Sequence, residues 1–586
     1  MAEQLLRTQR AQDAAGLYAV WGQGNAISPE QHVAFFNQGV IYSTLGDMAG
    51  AQTAYQASLD AWPDFPQARI NLGLIFERQG LSDQALAHWQ QVVGDVAMQV
   101  IALNHRGRLH ESLRQYAQAE ALLTQSLQLN PHQPDAIQHW VHLRQKQCKW
   151  PVMQALPQVS VHQMLANTSP LAMLSLHDDP ALQMMAAQLF IKRKFDLPMS
   201  RLCPLEGYSH ARVRVGYLSG DLCTHAVGLL LAELIESHDR ERFEIYAFDY
   251  SPEDGSAYRA RLKRSFEHFV SIAQMNDAQA AQVIAEQEID VLIDLHGLSL
   301  GARPGILAQR PAPHQGTYLG FMGTTGFPWI DFVVTDRYVL PESLAQYYSE
   351  RPLYMDGCVL PITHEPIEPS HETRASLGLP DDAFVVVCFN NVYKFNPTLF
   401  SVWMRLLQQV DDAVLWLLDD NDSATEQIQQ YVASHGIALD RVIFAKRTSH
   451  LNFRARLQLA DLYLDTTPYN AGSTARDVVD AGLPMVTLSG QTVVSRMAGS
   501  LLSSLGFGEF VAHDVSAYEA LVLALAKDRA RLASYRHALL QGAPLRAGAS
   551  ARLTKKFRAA ATHTAVTFHL QHHRPGRHRR WPVCFY

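Results

Sequence analysis

The spacing of apolar positions changes character twice along this 586-residue chain. In the first quarter, small and large apolar positions recur with a step of 34: Gly39, Gly73 and Gly107; Ala51, Ala85 and Ala119; Tyr55, Trp89 and Leu123. Tyr42 with Phe76, Gly46 with Gly80, and Pro29 with Pro63 keep the same step, and Pro131 falls two periods after Pro63. Small residues let paired helices approach closely, and proline ends the second helix of a pair. The pattern predicts three helix pairs over about 32–134. A partial pair precedes them, with Trp21 in register with Tyr55, and a helix around Asp135–Cys148 follows. Stacked pairs form a solenoid whose concave face suits an extended peptide or protein partner.

The 34-residue step with these small and aromatic positions resembles the tetratricopeptide repeat. From Leu171 to Phe195 leucines and methionines recur at mixed three and four spacing without glycine, which predicts a helical adaptor. At Val213 the period changes again, to short apolar runs alternating with helical segments. VRVGYLS, FEIYAFDYS, HFVSIA, VLIDLHG, GTYLG and DFVVTD read as strands of one lobe. After the proline-bearing link LPITHEPIEPSHETR (360–374), FVVVCFNN, AVLWLLDD, RVIFAK, LYLDT and PMVTLS read as strands of a second. Strand–helix alternation predicts two doubly wound, Rossmann-like α/β lobes after the α-solenoid. The expected segments are repeats over 1–150, adaptor over 151–210, a first lobe over 211–365, a second over 366–545 and a basic tail over 546–586.

Composition narrows the classes. The chain is 47% hydrophobic and 18% charged, which excludes collagenous, coiled-coil and wholly disordered proteins. Its six cysteines contain no CxxC pair, so a zinc finger or disulfide scaffold is not expected, and a reducing compartment fits. No apolar run reaches 18 residues and the first residues lack a signal core, so a cytoplasmic protein without a membrane partner is expected. A net charge of -7 argues against a nucleic-acid partner. The charge is uneven, however: no acidic residue follows Asp528, and the tail ends HHRPGRHRRWPVCFY without helical or strand periodicity.

Candidate chemistry gathers where strands end, since open parallel sheets bind ligands beyond the carboxyl ends of their strands. In YNAGSTARD, Gly472, Ser473 and Thr474 open a helix, so backbone N–H groups and two hydroxyls make an anion site suited to a pyrophosphate. In FNNVYKFNP, Lys394 follows a strand and could neutralise a departing diphosphate, while Asn391 could meet a ligand or cap a turn. Asp420–Asn421–Asp422 looks like a metal-binding DxD but runs straight into a helix start and reads as a polar turn, so no metal or cofactor is expected. In the first lobe His225 follows the first strand as a candidate general base. Asp294 and His296 end a later strand, and the loop GTYLGFMGTTG could close over a sugar.

RPAPHQGTYLGFMGTTG, SERPLYMDG, FNNVYKFNP, VLWLL, QLADLYLDT and AGLPMVTLSG, in this order, resemble the signature blocks of the protein O-GlcNAc transferases. Those proteins join tetratricopeptide repeats to two lobes of the glycosyltransferase B type. The likeness reaches to about residue 545, and the short link with few repeats resembles a bacterial member. It implies an inverting transfer of GlcNAc from UDP-GlcNAc to Ser or Thr hydroxyls, with Lys394 contacting the diphosphate. Asn391 falls at a uridine-contacting position, Ser473, Thr474 and Asp477 at phosphate- and ribose-contacting ones, and Leu319 with Gly320 at sugar-contacting ones. His225 matches a proposed base and Asp294 a second candidate. Two positions depart from the family: Gly472 stands where animal members have His, and Phe453 aligns with a uridine-stacking His, where it could still stack on a base. These departures leave open another donor, such as GDP-fucose or UDP-glucose. A repeat scaffold with a silent transferase domain is the reading from a different class.

Overall fold

A computed structural model describes residues 1–541 apart from 198, 362–366 and 369–370. The basic tail expected over 546–586 lies outside the described residues. The chain divides into two compact units, Met1–Thr168 and the part from Ser169 onward. The division falls inside the segment read as an adaptor: helix Val161–Asn167 belongs to the first unit, and helices Pro170–Leu176 and Pro180–Lys194 belong to the second.

In the first unit the 34-residue step is a set of contacts. A side chain added at Gly39, Gly73 or Gly107 would collide with Tyr55, Trp89 or Leu123 respectively, so each glycine is the site where the facing helix crosses. Ala51, Ala85 and Ala119 are fully buried at the same crossings. The turn inside each pair repeats as well. Gly46, Gly80, Arg114 and Cys148, each one step apart, all hold positive φ. After each, an N–H reaches back five residues to a helical carbonyl: Asp47 to Tyr42, Leu81 to Phe76, Gln115 to His110 and Lys149 to Arg144, at 2.8–3.0 Å. This is a Schellman close, and its geometry persists where glycine has been replaced.

The second unit holds two parallel sheets. The first comprises β1 (Val213–Ser219), β2 (Phe243–Asp249), β3 (His268–Ser271), β4 (Val291–Asp294), β5 (His314–Thr317), β6 (Phe332–Asp336) and β7 (Arg351–Met355), in the order β3-β2-β1-β4-β5-β6-β7. The second comprises β8 (Phe384–Cys388), β9 (Ala413–Asp419), β10 (Val442–Lys446), β11 (Leu462–Leu464), β12 (Met485–Leu488) and β13 (Val511–Ala512), in the order β10-β9-β8-β11-β12-β13. Central strands such as β8 and β12 are buried at every residue, as helices on both faces require.

Three strand readings need correction. The run GTYLG leaves the sheet after Thr317 because Leu319 takes φ +73. The edge strands β7 and β13 were not anticipated. The first is partly exposed and carries Pro352, which an edge tolerates, and the second has only two residues. Among the described residues no helix is long and apolar enough to cross a membrane.

The tightest crossing yields a stability prediction. A Cβ at Gly73 would lie 2.1 Å from Trp89 Nε1, which already donates to the Ile70 carbonyl at 3.1 Å. Gly73→Ala is expected to cost about 1–3 kcal/mol through overpacking. Arg114→Gly, relieving a left-handed residue, should stabilise by up to about 1 kcal/mol. Thermal unfolding of the two variants should therefore shift in opposite directions.

Candidate active site

The carboxyl ends of strands from both sheets border one cavity of about 490 Å³. β8 ends at Cys388, and the chain then makes a short 3-10 turn, Val392–Lys394, which brings Lys394 to the cavity wall. The lysine is almost completely buried. Its Nζ donates to the Asn470 carbonyl at 3.0 Å and lies 4.0 Å from the centroid of the Tyr469 ring. Burial pulls its pKa down to about 8, while Asp465 and Cys388 act in the opposite direction. Asn391 accepts from Tyr393 N at 3.4 Å, so it caps the turn that carries Lys394 and does not line the cavity.

β11 leads into the loop that opens helix Ser473–Asp480. Gly472 supplies no capping side chain, and among the described residues no acceptor meets the N–H groups of Ser473 and Thr474. All three residues line the cavity, so a positive helix end is presented there. The loop is wound around the fully buried Asp465. Its carboxylate accepts from Thr466 N and Ala471 N, each at 2.8 Å, from Thr487 Oγ1 at 2.7 Å and from Asn390 Nδ2 at 3.0 Å. Burial raises its pKa to about 6 despite these donors and the nearby lysine.

Across the cavity, His225 caps helix Ala226–Glu236 and is about half exposed, with Nδ1 3.4 Å from Asp221 Oδ2. His296 is buried, and its Nε2 accepts from Gly220 N at 2.9 Å. That bond assigns the ring proton to Nδ1, facing Ser299 Oγ at 3.1 Å. Burial lowers the pKa of His296, with Asp221 opposing and His225 adding to the effect. Leu319 and Gly320 also line the cavity. Gly320 N donates to Tyr318 O at 2.9 Å, which closes a strained γ-turn around Leu319. A Cβ at Gly320 would fall 1.7 Å from the Leu295 carbonyl, so only glycine fits.

Like Asn391 and His296, three more expected site residues lie outside the cavity lining. Asp294 is buried, and its oxygens accept from Gly297 N at 2.7 Å and His296 N at 3.2 Å. Burial raises its pKa to about 7, the two N–H groups opposing. It anchors the turn carrying His296 and does not face the cavity. Asp477 is buried within the second lobe, its carboxylate 3.0 Å from His450 Nε2 and 3.1 Å from Arg476 Nη2. Burial opposes its charge, but Arg476, His450 and Arg454 outweigh that and hold its pKa low. Phe453 packs against Phe389 and His450, outside the cavity lining.

The sequence reading missed Asn390, Asp465, Tyr469, Asn470 and Met497. An aspartate ending an otherwise apolar strand, LYLD, was the available signal for Asp465. At the candidate DxD, Asn421 caps its helix through Ala424 N at 3.0 Å, and Asp420 pairs with Arg447.

A repeat unit joined to two Rossmann-like lobes with a cavity at their strand ends is the architecture of the glycosyltransferase B type. The chain belongs to glycosyl transferase family 41, which it matches over residues 157–367 and 361–543, while tetratricopeptide repeats match at 36–88 and 77–134. It is 34% identical over 331 residues to the probable UDP-N-acetylglucosamine–peptide N-acetylglucosaminyltransferase SEC of Arabidopsis thaliana, covering 55% of this chain and 34% of that one. It is 27% identical over 438 residues to the UDP-N-acetylglucosamine–peptide N-acetylglucosaminyltransferase of Caenorhabditis elegans, covering 56% of this chain and 38% of that one. The chain thus spans little more than a third of the length of these curated relatives. A mutant Thermobaculum terrenum O-GlcNAc transferase shares the fold, with a TM-score of 0.66 at 24% identity, covering 92% of this chain and 98% of that chain.

The lysine's lowered pKa sets a pH test. Lys394 is charged below about pH 8 and loses its proton above it. Affinity for a diphosphate ester should therefore fall between pH 8 and 9, by up to about tenfold per unit. Calorimetric titration should find that slope in the native protein and lose it in Lys394→Met.

Proposed function

We propose that this chain is an inverting glycosyltransferase that moves GlcNAc from UDP-GlcNAc to Ser or Thr hydroxyls of proteins. The observation that carries the proposal is the buried cation Lys394 beside the helix start at Gly472, which has no side-chain cap, with His225 on the other lobe of the same cavity. In the proposed displacement the acceptor hydroxyl attacks C1 of the sugar. His225, with Asp221 beside it, takes the hydroxyl proton in this reading. Charge grows on the β-phosphate as the glycosidic bond breaks. Lys394 and the N–H groups of Ser473 and Thr474 meet it there, so the reaction needs no metal in this reading. The repeats would present the acceptor protein, and Leu319 with Gly320 would wall the sugar.

Lys394→Ala should lower turnover at saturating donor by about 10²–10³, the scale of one lost electrostatic donor. UDP affinity should fall less, because only part of that contact strengthens in the transition state. Arginine should rescue poorly, its fork being wider than an ammonium. His225→Ala should lose turnover while keeping UDP affinity. A folded Lys394→Ala protein with native turnover would overturn this mechanism.

A panel of UDP- and GDP-sugars, run with EDTA, tests donor and metal together. Transfer from UDP-GlcNAc should persist in EDTA, whereas preference for another donor would reassign the sugar and absence of turnover with every donor would favour a scaffold. Removing residues 1–168 should weaken transfer to whole proteins more than UDP binding.

A further inference from the structure

We propose that Asp178 is a positioning residue for Lys394, acting from the helical strap that precedes the first sheet; the proposal rests on the sugar-transfer reading above. The dipeptide Asp178–Asp179 sits between helices Pro170–Leu176 and Pro180–Lys194, and its two carboxylates divide the labour. Asp179 is the ordinary cap, accepting from Ala181 N at 2.8 Å and Leu182 N at 3.3 Å. Asp178 reaches the second lobe instead. Its carboxylate meets Gln491 N at 2.8 Å, Thr492 N at 3.1 Å, Thr492 Oγ1 at 2.8 Å and Ser495 Oγ at 2.7 Å. A Cβ at Gly490 would lie 1.9 Å from Asp178 Oδ2, so the loop is moulded to this carboxylate.

The same strap is fixed to the first lobe. Phe195 packs edge-on against Phe327 with ring centroids 5.6 Å apart, and Ile191 fills the space beside Gly326. Asp178 therefore ties a loop of one lobe to a helix seated on the other. From that loop a hydrogen-bonded path runs to the site. Asn470 N donates to Val494 O at 3.0 Å, and Asn470 O in turn accepts from Lys394 Nζ at 3.0 Å. The loop also leads directly into Met497, a cavity wall beside Gly472. Removing the carboxylate loosens the 491–495 loop, and with it the Val494 carbonyl that, in addition to Asp465, restrains Asn470. A displacement of the order of 1 Å at a reacting group can cost about 10²-fold.

Asp178→Asn keeps the shape but turns an amide N–H₂ toward donors. It should lower turnover about tenfold with UDP affinity reduced less than threefold, whereas Asp179→Asn, which retains a capping oxygen, should leave turnover unchanged. In the Lys394→Ala background Asp178→Asn should change the residual turnover by less than twofold, because its effect passes through the lysine. Hydrogen exchange should quicken in peptides covering 466–472. Native turnover in Asp178→Asn, an equal loss in both lysine backgrounds, an equal loss in Asp179→Asn, or unchanged exchange at 466–472 would each overturn the proposal. If Asp178→Asn fails to fold, Ser495→Ala removes one donor from the other side and is held to the same outcomes. If the native protein transfers no sugar at all, the transfer reading fails by itself, and exchange at 466–472 alone decides whether Asp178 holds the loop.

Discussion

The candidate site depends on one buried carboxylate. Asp465 directly follows β11 in the interior of the second lobe, where a charge is costly unless donors surround it. Four donors do so: two from its own loop, one from β12 and one from the turn after β8. Satisfying Asp465 winds residues 466–472 into a fixed loop, which presents the Asn470 carbonyl to Lys394 and leaves Gly472 as a bare helix start. The cation and the carboxylate each lower the cost of burying the other. Burial pushes the two pKa values toward each other, to about 6 and about 8 against the opposing donors and charges, and between those values both groups keep their charges.

The first lobe reaches the same cavity by sterics more than charge. Gly320 lies so close to the Leu295 carbonyl that no side chain fits, and the γ-turn at Leu319 is held in a strained conformation by the buried Tyr318, whose hydroxyl donates to Val359 O at 2.8 Å. Asp294 serves the same end by anchoring the turn that carries His296. Contacts between the lobes then hold the two halves in register. Arg476, buried in the helix that begins at Ser473, donates to the Leu229 carbonyl at 2.8 Å, and Ser500 Oγ donates to Asp336 at 2.8 Å. The catalytic assignments proposed for Lys394 and His225 thus rest on side chains delivered by different sheets.

The fold was legible because it is written in one-dimensional periods, and the family because its signature blocks stand in order along the chain. A 34-residue step survives in the chain as spacing, even at Arg114 and Cys148, where the turn keeps its positive φ without glycine. Apolar runs of four to seven residues between helical segments likewise announce parallel strands. The edge strand β7 escaped because it is partly exposed and lacks such a run. Strand ends then marked Lys394, Gly472, Ser473, Thr474 and His225, since chemistry in an open parallel sheet gathers there, and the family resemblance added Leu319 and Gly320.

What each polar side chain faces was decided only by tertiary structure. Neighbouring asparagines in FNNVYK look alike in sequence, yet Asn390 is buried on Asp465 while Asn391 caps a turn. Asp178 and Asp179 are likewise adjacent aspartates, one capping its own helix and the other gripping a loop more than 300 residues away. The same holds for Asp294, marked by its strand end, and Asp477, marked by the family resemblance, which turn N–H groups and buried cations occupy. The physical reason is common to all of them. Local periods fix which backbone elements form, whereas a buried polar group takes whichever unsatisfied donor or charge the packed chain brings to it, and that partner is usually distant in sequence.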